Sequence, residues 1–360
     1  MTPSRARAWA ELLRVSALFT VPGDALAGAA ATRTAPNRGT ALAMGASLCL
    51  YEAGMALNDW ADRDIDAVER PGRPLPSGRI APAAALTAAT GLTAAGLVCA
   101  ASAGRRALAT ATALAGTVWA YDLGLKNTPA GPYAMATARS LDLLLGATAT
   151  APTPTRHTLL PAALLGAHTL AVTAVSRHEA TGGTSKTPLA ALATATTIAW
   201  AATRPPTRPA LPGLATVAIG AASPGRAPAA GPRSGVVPAP GRRATPTAVA
   251  AAAHPRSNRA PAVARRGPAP SHATHIRART RPLASAALAA AYLATAARPF
   301  AHAALNPSPH LLQRAVGGGI RAMIPLQAAL AQRAGAGRAG AGLLLLVPVA
   351  RRLSRKVSPT

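Results

Sequence analysis

The stretch Asn58-Asp59-Trp60-Ala61-Asp62-Arg63-Asp64-Ile65-Asp66 decides how the rest of the chain is interpreted. At 3.6 residues per turn, Asn58, Asp62 and Asp66 share one helix face, which Asp59 joins, whereas Asp64 points elsewhere. Carboxylates on one face repel each other unless cations lie among them. Hard oxygen ligands with open positions suit Mg²⁺ bridging to a diphosphate. The spacing therefore predicts a metal site at the end of a helix.

The segment that follows this motif, residues 69–79, is rich in Pro, Gly and Arg. Its prolines predict a rigid turn, and its guanidinium groups would hold phosphate oxygens in a bidentate way that Lys cannot reproduce. Motif and turn together predict a site for a metal-bound phosphate compound.

Composition places this site in a membrane protein. The chain has 360 residues, of which 50% are hydrophobic, and 38 Lys and Arg face only 11 Asp and Glu. Five of the acidic residues fall within residues 59–69, and such a cluster in an apolar chain is a functional-site candidate. The net charge of +27 does not indicate nucleic acid, because no basic helix carries interleaved aromatic residues. The positive charge is instead consistent with loops that orient the apolar spans in the membrane and contact lipid head groups.

Hydropathy predicts an all-α, polytopic membrane helix bundle. Apolar segments long enough to cross a membrane lie at roughly 10–31, 39–57, 82–103, 106–124, 131–151, 158–176, 187–203 and 283–303, with further helical segments at 315–333 and 339–350. We expect about nine transmembrane helices. The first segment imitates a signal peptide, but Glu11, Arg14 and Asp24 interrupt it, so we interpret it as a retained first transmembrane helix. A weak excess of positive charge predicts a multi-pass protein of the cell membrane with the motif-bearing loops in the cytoplasm.

The chain divides into three parts by composition. Residues 1–204 and 283–360 are the N-terminal and C-terminal parts of the bundle, and residues 205–282 form a low-complexity segment of Arg, Pro and Ala without any acidic residue. Such a segment cannot bury a core. Two explanations stay open: a disordered insertion, or translation of GC-rich codons in a shifted frame.

Several motifs resemble the UbiA prenyltransferase superfamily, in particular its EboC-like, largely actinobacterial and cyanobacterial branch. They are the acidic motif with its basic turn, residues 121–128, 138–146 and 176–183, and the C-terminal stretches 303–309 and 313–327. The resemblance implies that Asp59, Asp62 and Asp66 are catalytic and hold Mg²⁺ against a prenyl diphosphate. It further implies that substrate is bound by Asn58, Arg73, Lys126, Arg139 and Glu179, the last as a ligand of a second metal ion.

The implied activity is transfer of a prenyl group from an allylic diphosphate to a small-molecule acceptor. The acceptor and the prenyl chain length are left open. A non-catalytic or degenerate membrane protein of the same fold is the alternative, because residues 205–282 replace sequence that is helical in the family. The missing Asp-Gly-x-x-Ala-Arg element disfavours a CDP-alcohol phosphotransferase.

Overall fold

The structure is a computed structural model that describes residues 5–14, 18, 20–151, 153, 156–204 and 272–345. Within these ranges every regular element is a helix, so the predicted all-α fold is confirmed. The α-helices are α1 (Arg5–Leu12), α2 (Val21–Ala31), α3 (Arg38–Ala61), α4 (Arg63–Glu69), α5 (Pro82–Ala103), α6 (Arg105–Leu123), α7 (Gly131–Thr150), α8 (Leu159–Ser176), α9 (Lys186–Thr203), α10 (His272–Leu305) and α11 (Pro309–Ala334). Residues 337–345 form a further helical segment.

Helices α5 to α9 lie close to where the apolar segments predict them. Gly104 separates α5 from α6 with a φ of 132°, a conformation that only glycine adopts without strain. Pro82 and Pro132 stand at the first turns of α5 and α7, where the missing N–H group is not needed. The start of α10 at His272 falls eleven residues before the expected boundary at 283.

The first predicted span, residues 10–31, is wrong in its detail, because this part of the chain forms two short helices. Helix α1 is followed by Arg14, whose φ of 47° is incompatible with a continuing right-handed helix. Pro22 then lies in the first turn of α2, where its fixed φ suits a helix start. At 1.5 Å per residue, α2 is only about 16 Å long, so it is too short to cross about 30 Å of hydrocarbon alone.

Small residues allow the helices to approach each other closely. A Cβ atom on Gly28 of α2 would overlap the backbone of Leu143 on α7, and one on Gly146 of α7 would overlap the backbone of Ala25 on α2. Most of the remaining buried side chains are Ala and Leu. This type of packing is expected in membranes, where close van der Waals contact replaces the hydrophobic effect between helices.

Three helical stretches of the described residues are long and apolar enough to cross a membrane: Arg38–Ala61, Pro82–Ala103 and Arg156–Ser176. The expected number of about nine spans stays a prediction. Residues 205–271 lie outside the described residues, so the interpretation of the low-complexity segment also stays a prediction.

Candidate functional site

The acidic motif lies where α3 ends, and a single residue breaks the helix there. Asp62 has φ −90° and ψ 2° and separates α3 from α4. The prediction of one continuous helix is therefore wrong at this residue. The helical hydrogen-bond spacing nevertheless persists, because Asp62 N donates to Asn58 O at 2.9 Å and Asp66 N donates to Asp62 O at 2.8 Å. We call this end of the bundle the motif end.

Arg73 connects the two buried carboxylates of the motif. The turn after α4 folds back, and Arg73 Nη1 lies 2.6 Å from Asp66 Oδ2 and 3.4 Å from Asp59 Oδ1. Asp59 and Asp66 are only 5% and 3% exposed. The basic turn thus places its guanidinium group within the acidic motif, between two carboxylates that would otherwise repel each other.

Asp62 pairs with two different partners. Lys126 Nζ lies 2.6 Å from Asp62 Oδ1, and the Asn58 side-chain amide donates to Asp62 Oδ2 at 2.9 Å. Lys126 belongs to a short 3₁₀ turn, Leu125–Asn127, that follows α6. The structure therefore places Asn58 and Lys126 at Asp62, and Arg73 at Asp59 and Asp66. Asp64 lies off this site with its side chain 84% exposed, as the helical spacing predicts.

Arg14 is a site residue that the sequence analysis missed. Its Nη2 lies 3.3 Å from Asp59 Oδ1, and its side chain lines the cavity described below. The positive φ of Arg14 turns the chain between α1 and α2 and places this guanidinium at the motif. The signal was present in the sequence, because a charge inside an apolar run needs a polar partner.

Helix α1 holds the basic turn in place. Arg79 Nη1 lies 2.7 Å from Glu11 Oε2, and Arg79 Nη2 donates to Gly72 O at 2.7 Å. Leu12 of α1 packs in a buried cluster that includes Leu75 and Ile80 of the turn. These contacts fix the backbone that carries Arg73.

A cavity of about 250 Å³ opens beside the motif. Its polar lining near the motif end includes Arg14, Asn58 and Asp122. Its middle is apolar, and two aromatic residues, Tyr51 and Tyr121, also contribute to the wall. At the inner end it is lined by Ser47, Arg139 and Asp142. A concave space that combines apolar walls with a few well-placed polar groups is the usual form of a small-molecule site.

Arg139 is not placed at the acidic motif. Its Nε lies 2.9 Å from Asp24 Oδ2, and its Nη2 contacts the sulfur of Met323 at 2.8 Å. Asp24 is fully buried and accepts a hydrogen bond from Gln327 Nε2 at 2.7 Å. Arg139 therefore belongs to the inner end of the cavity and not to the group formed by Arg14, Arg73 and Lys126.

Glu179 lies in the connection after α8. Partial burial raises the pKa of Glu179 above its ordinary value, and the nearby charge of Arg70 opposes that rise. Arg177, two residues earlier, donates to the backbone oxygens of Thr128 at 2.6 Å and Lys126 at 3.4 Å. Arg177 thus holds the turn that carries Lys126, while a metal role for Glu179 stays a prediction.

The carboxylates fit a cation-binding role, although not as a complete cage. In the described part of the chain, no group of three or more His, Cys, Asp or Glu residues is close enough to hold a metal ion by itself. Asp59 and Asp66 both contact the same nitrogen of Arg73, so this guanidinium compensates part of their negative charge. Their oxygen donors suit a hard divalent ion whose remaining ligands come from water or substrate.

Comparison with known proteins identifies the family. The model of the UbiA prenyltransferase family matches residues 16–204, which is more than half of the chain. The chain belongs to the UbiA prenyltransferase family. The match includes the acidic motif, Lys126, Arg139 and Glu179, whereas the C-terminal stretches lie outside it. Assignment to the EboC-like branch stays a prediction.

Curated relatives of this UbiA family member come from archaea. A digeranylgeranylglyceryl phosphate synthase of Methanopyrus kandleri is 33% identical over 128 residues, which cover 34% of this chain and 45% of the relative. A protein of the same name from Methanothrix thermoacetophila is 39% identical over 112 residues, covering 31% of this chain and 42% of the relative. The chain spans about half the length of the curated relatives it matches.

A solved structure described as a digeranylgeranylglyceryl phosphate synthase in membranes supports the fold. It aligns with a TM-score of 0.52 at 15% identity and covers 92% of this chain and 98% of that chain. At this identity the likeness concerns the fold alone. With the apolar helices, it shows that the chain is an integral membrane protein of UbiA fold.

Proposed function

We propose that this protein transfers a prenyl group from an allylic prenyl diphosphate to a small-molecule acceptor, with Mg²⁺ bound at the motif end. The observation that carries the proposal is the pairing of three motif carboxylates with three cations, one of which, Arg14, also lines the cavity. Family membership supports a prenyltransferase that uses a divalent ion, and the oxygen ligands favour Mg²⁺.

The charges at the acidic motif support binding of a diphosphate. Asp59, Asp62 and Asp66 are paired with Arg14, Arg73 and Lys126, so the group is close to neutral without substrate. Diphosphate oxygens would compete with the carboxylates for the same guanidinium and ammonium groups. Binding of the diphosphate and release of the carboxylates from their cationic partners are therefore coupled.

The residues that would hold Mg²⁺ are Asp59, Asp62 and Asp66, with Asn58 holding Asp62 in place. The ion would act as a Lewis acid that neutralises negative charge on the leaving diphosphate. Arg14, Arg73 and Lys126 stabilise the same charge from the protein side as the carbon–oxygen bond breaks. The bonding electron pair leaves with the diphosphate.

The cavity wall governs the fate of the allylic cation. Leu50, Leu114 and Val118 form an apolar surface that keeps water away from the cation. The rings of Tyr51 and Tyr121 also line this space, and aromatic faces attract cations. The acceptor then supplies the electron pair of the new bond and loses a proton.

Several finer assignments belong to this proposal. We place the protein in the cell membrane with the motif end in the cytoplasm, where soluble diphosphate can reach it. We retain Glu179 as a ligand of a second metal ion, because it is the acidic residue of the connection that also carries Arg177. The names of the relatives suggest a glyceryl phosphate compound as the first acceptor to assay.

The test uses purified protein in lipid nanodiscs with labelled geranylgeranyl diphosphate and an extract of the source cells as acceptor supply. We expect a labelled, lipid-soluble product with Mg²⁺ and none with excess chelator. A product that forms equally well in chelator would exclude the metal role. No product under any condition would favour the non-catalytic alternative.

A further inference from the structure

Two carboxylates line the cavity, and they differ in their hydrogen bonds. Asp142 is hydrogen-bonded to Ser47 and Asp24. Asp122, which is 4% exposed, forms no hydrogen bond or ion pair with any residue that the structure describes. A buried carboxylate without a hydrogen bond is costly in an apolar bundle unless a ligand or water pairs with it. The carboxylate of Asp122 is therefore available to a bound molecule.

Asp122 lies slightly deeper in the bundle than the acidic motif. It belongs to the last turn of α6, four residues before Lys126 of the 3₁₀ turn. Its Oδ2 faces α3, where a Cβ atom added to Gly54 would lie 3.8 Å away. Gly54 precedes Asn58 by four residues, which is about 6 Å along the helix axis. The carboxylate thus lies beyond the contact of Asn58 with Asp62, on the side toward the cavity.

The charges around Asp122 belong to the diphosphate end of the site. The groups whose charges act on it are Lys126, Asp62, Arg14 and Asp59. Lys126 Nζ is nevertheless paired with Asp62 Oδ1, at 2.6 Å. No three acidic, His or Cys side chains among the described residues are close enough to hold a metal ion, so Asp122 does not extend the acidic motif into a larger metal site. A carboxylate beside the diphosphate group, but not part of it, is suited to serve the other reactant.

We propose that Asp122 accepts the proton in the transfer reaction, and that the acceptor molecule reacts through a hydroxyl group. The hydroxyl donates a hydrogen bond to Asp122, which orients the oxygen toward the allylic carbon. The carbon–oxygen bond of the donor breaks, and its electron pair leaves with the diphosphate. A lone pair of the acceptor oxygen forms the new carbon–oxygen bond, while the proton passes to Asp122 and the electron pair of the O–H bond stays on oxygen.

Other groups of the site are less suited to take this proton. The motif carboxylates are paired with cations, and the two tyrosines of the cavity wall keep their own protons at neutral pH. The inference rests on the proposed function and adds the class of nucleophile and the residue that deprotonates it.

The test compares transfer with binding in Asp122→Asn, which keeps the shape of the side chain but is a very poor base. Nanodisc-bound protein is given labelled geranylgeranyl diphosphate with the cell extract, and binding of geranylgeranyl thiodiphosphate and of Mn²⁺ is measured separately. We expect transfer to fall about a hundredfold or more, whereas neither affinity weakens. In Asp122→Ala, added formate should raise transfer at least tenfold, because it supplies a carboxylate in the space that the side chain leaves.

Asp64→Asn is the matched control, because it removes one carboxylate charge from the same end of the protein with a side chain that is 84% exposed. It should transfer at the wild-type rate and should not respond to formate. Normal transfer by Asp122→Asn would overturn the inference, and so would failure of formate to raise transfer by Asp122→Ala. Weaker binding of Mn²⁺ or of the thiodiphosphate would also overturn it, because Asp122 would then act at the donor. Failure of the wild type to transfer, despite binding the thiodiphosphate, would remove the proposed function and this inference with it.

Discussion

Replacement of Arg73 by Ala is expected to change metal binding and diphosphate binding in opposite directions. Arg73 pairs with both Asp59 and Asp66, which are two of the carboxylates that would hold the metal ion. Without it, both carboxylates are freer to bind a metal ion in the absence of substrate. A diphosphate, in contrast, loses one of the cations that hold its oxygens.

The size of both effects follows from the ion pair. A hydrogen bond between charged groups contributes roughly 1.5–3 kcal/mol. The Arg73 side chain is 25% exposed, so the lower end of that range applies. About 1.5 kcal/mol corresponds to roughly a tenfold change in a dissociation constant. We expect metal binding about tenfold tighter and diphosphate binding about tenfold weaker.

The assay measures binding without turnover. Mn²⁺ serves as a paramagnetic probe, and the free ion is quantified by electron paramagnetic resonance in protein-loaded nanodiscs. Binding of geranylgeranyl thiodiphosphate is measured by calorimetry. Arg63→Ala is the matched control, because Arg63 pairs with the exposed Asp64 and stacks on Trp60. Its loss removes the same charge without removing a partner of Asp59 or Asp66.

Two results would refute the reasoning. One is unchanged or weaker Mn²⁺ binding in Arg73→Ala, which would mean that the guanidinium does not compete for the carboxylates. The other is an equal gain in Arg63→Ala, which would assign the effect to overall charge.

Four further outcomes are expected. Asp62→Asn should lower prenyl transfer by at least a hundredfold while the protein still inserts into the membrane, whereas Asp64→Ala should leave transfer nearly unchanged. An equal loss of transfer in both variants would show that the catalytic carboxylates do not share one helix face. Arg14→Ala should weaken thiodiphosphate binding about tenfold, and unchanged affinity would exclude a substrate contact. A cysteine that replaces Ser77, in a protein without its native cysteines, should react with an impermeant maleimide from the cytoplasmic side only. Labelling from outside the cell would show that the protein has the opposite orientation in the membrane. Gly146→Val should destabilise the fold by about 1–3 kcal/mol, seen as a lower thermal midpoint, because α2 leaves no room for a side chain.

Most of the helices could be predicted from the sequence, because apolar length and Pro or Gly punctuation act locally. The break at Asp62 could not, since no Pro or Gly marks it and the hydrogen-bond spacing continues across it. The split between α1 and α2 was also missed. A positive φ at a non-glycine residue such as Arg14 depends on tertiary contacts that a hydropathy pattern does not contain.

The site was predictable where its residues lie close in sequence. Asp59, Asp66 and Arg73 belong to one local motif. The family resemblance named Lys126 as a substrate ligand but did not predict its contact with Asp62. The position of Arg139 could not be predicted, because its partner Asp24 lies on a helix far away in sequence. Only the packing of α2 on α7 brings the two side chains together. A cation in an apolar helix predicts a partner but does not say which carboxylate it will be.

The contacts between α1 and the basic turn have a practical consequence for expressing this protein. The first thirty residues look enough like a cleavable leader that a shortened gene, or a leader swapped in from another protein, would be a natural choice. Such a design would remove Glu11, Arg14 and Asp24 together. Glu11 pairs with Arg79 of the basic turn, Arg14 pairs with Asp59, and Asp24 pairs with Arg139. Tags are therefore better fused to the opposite terminus.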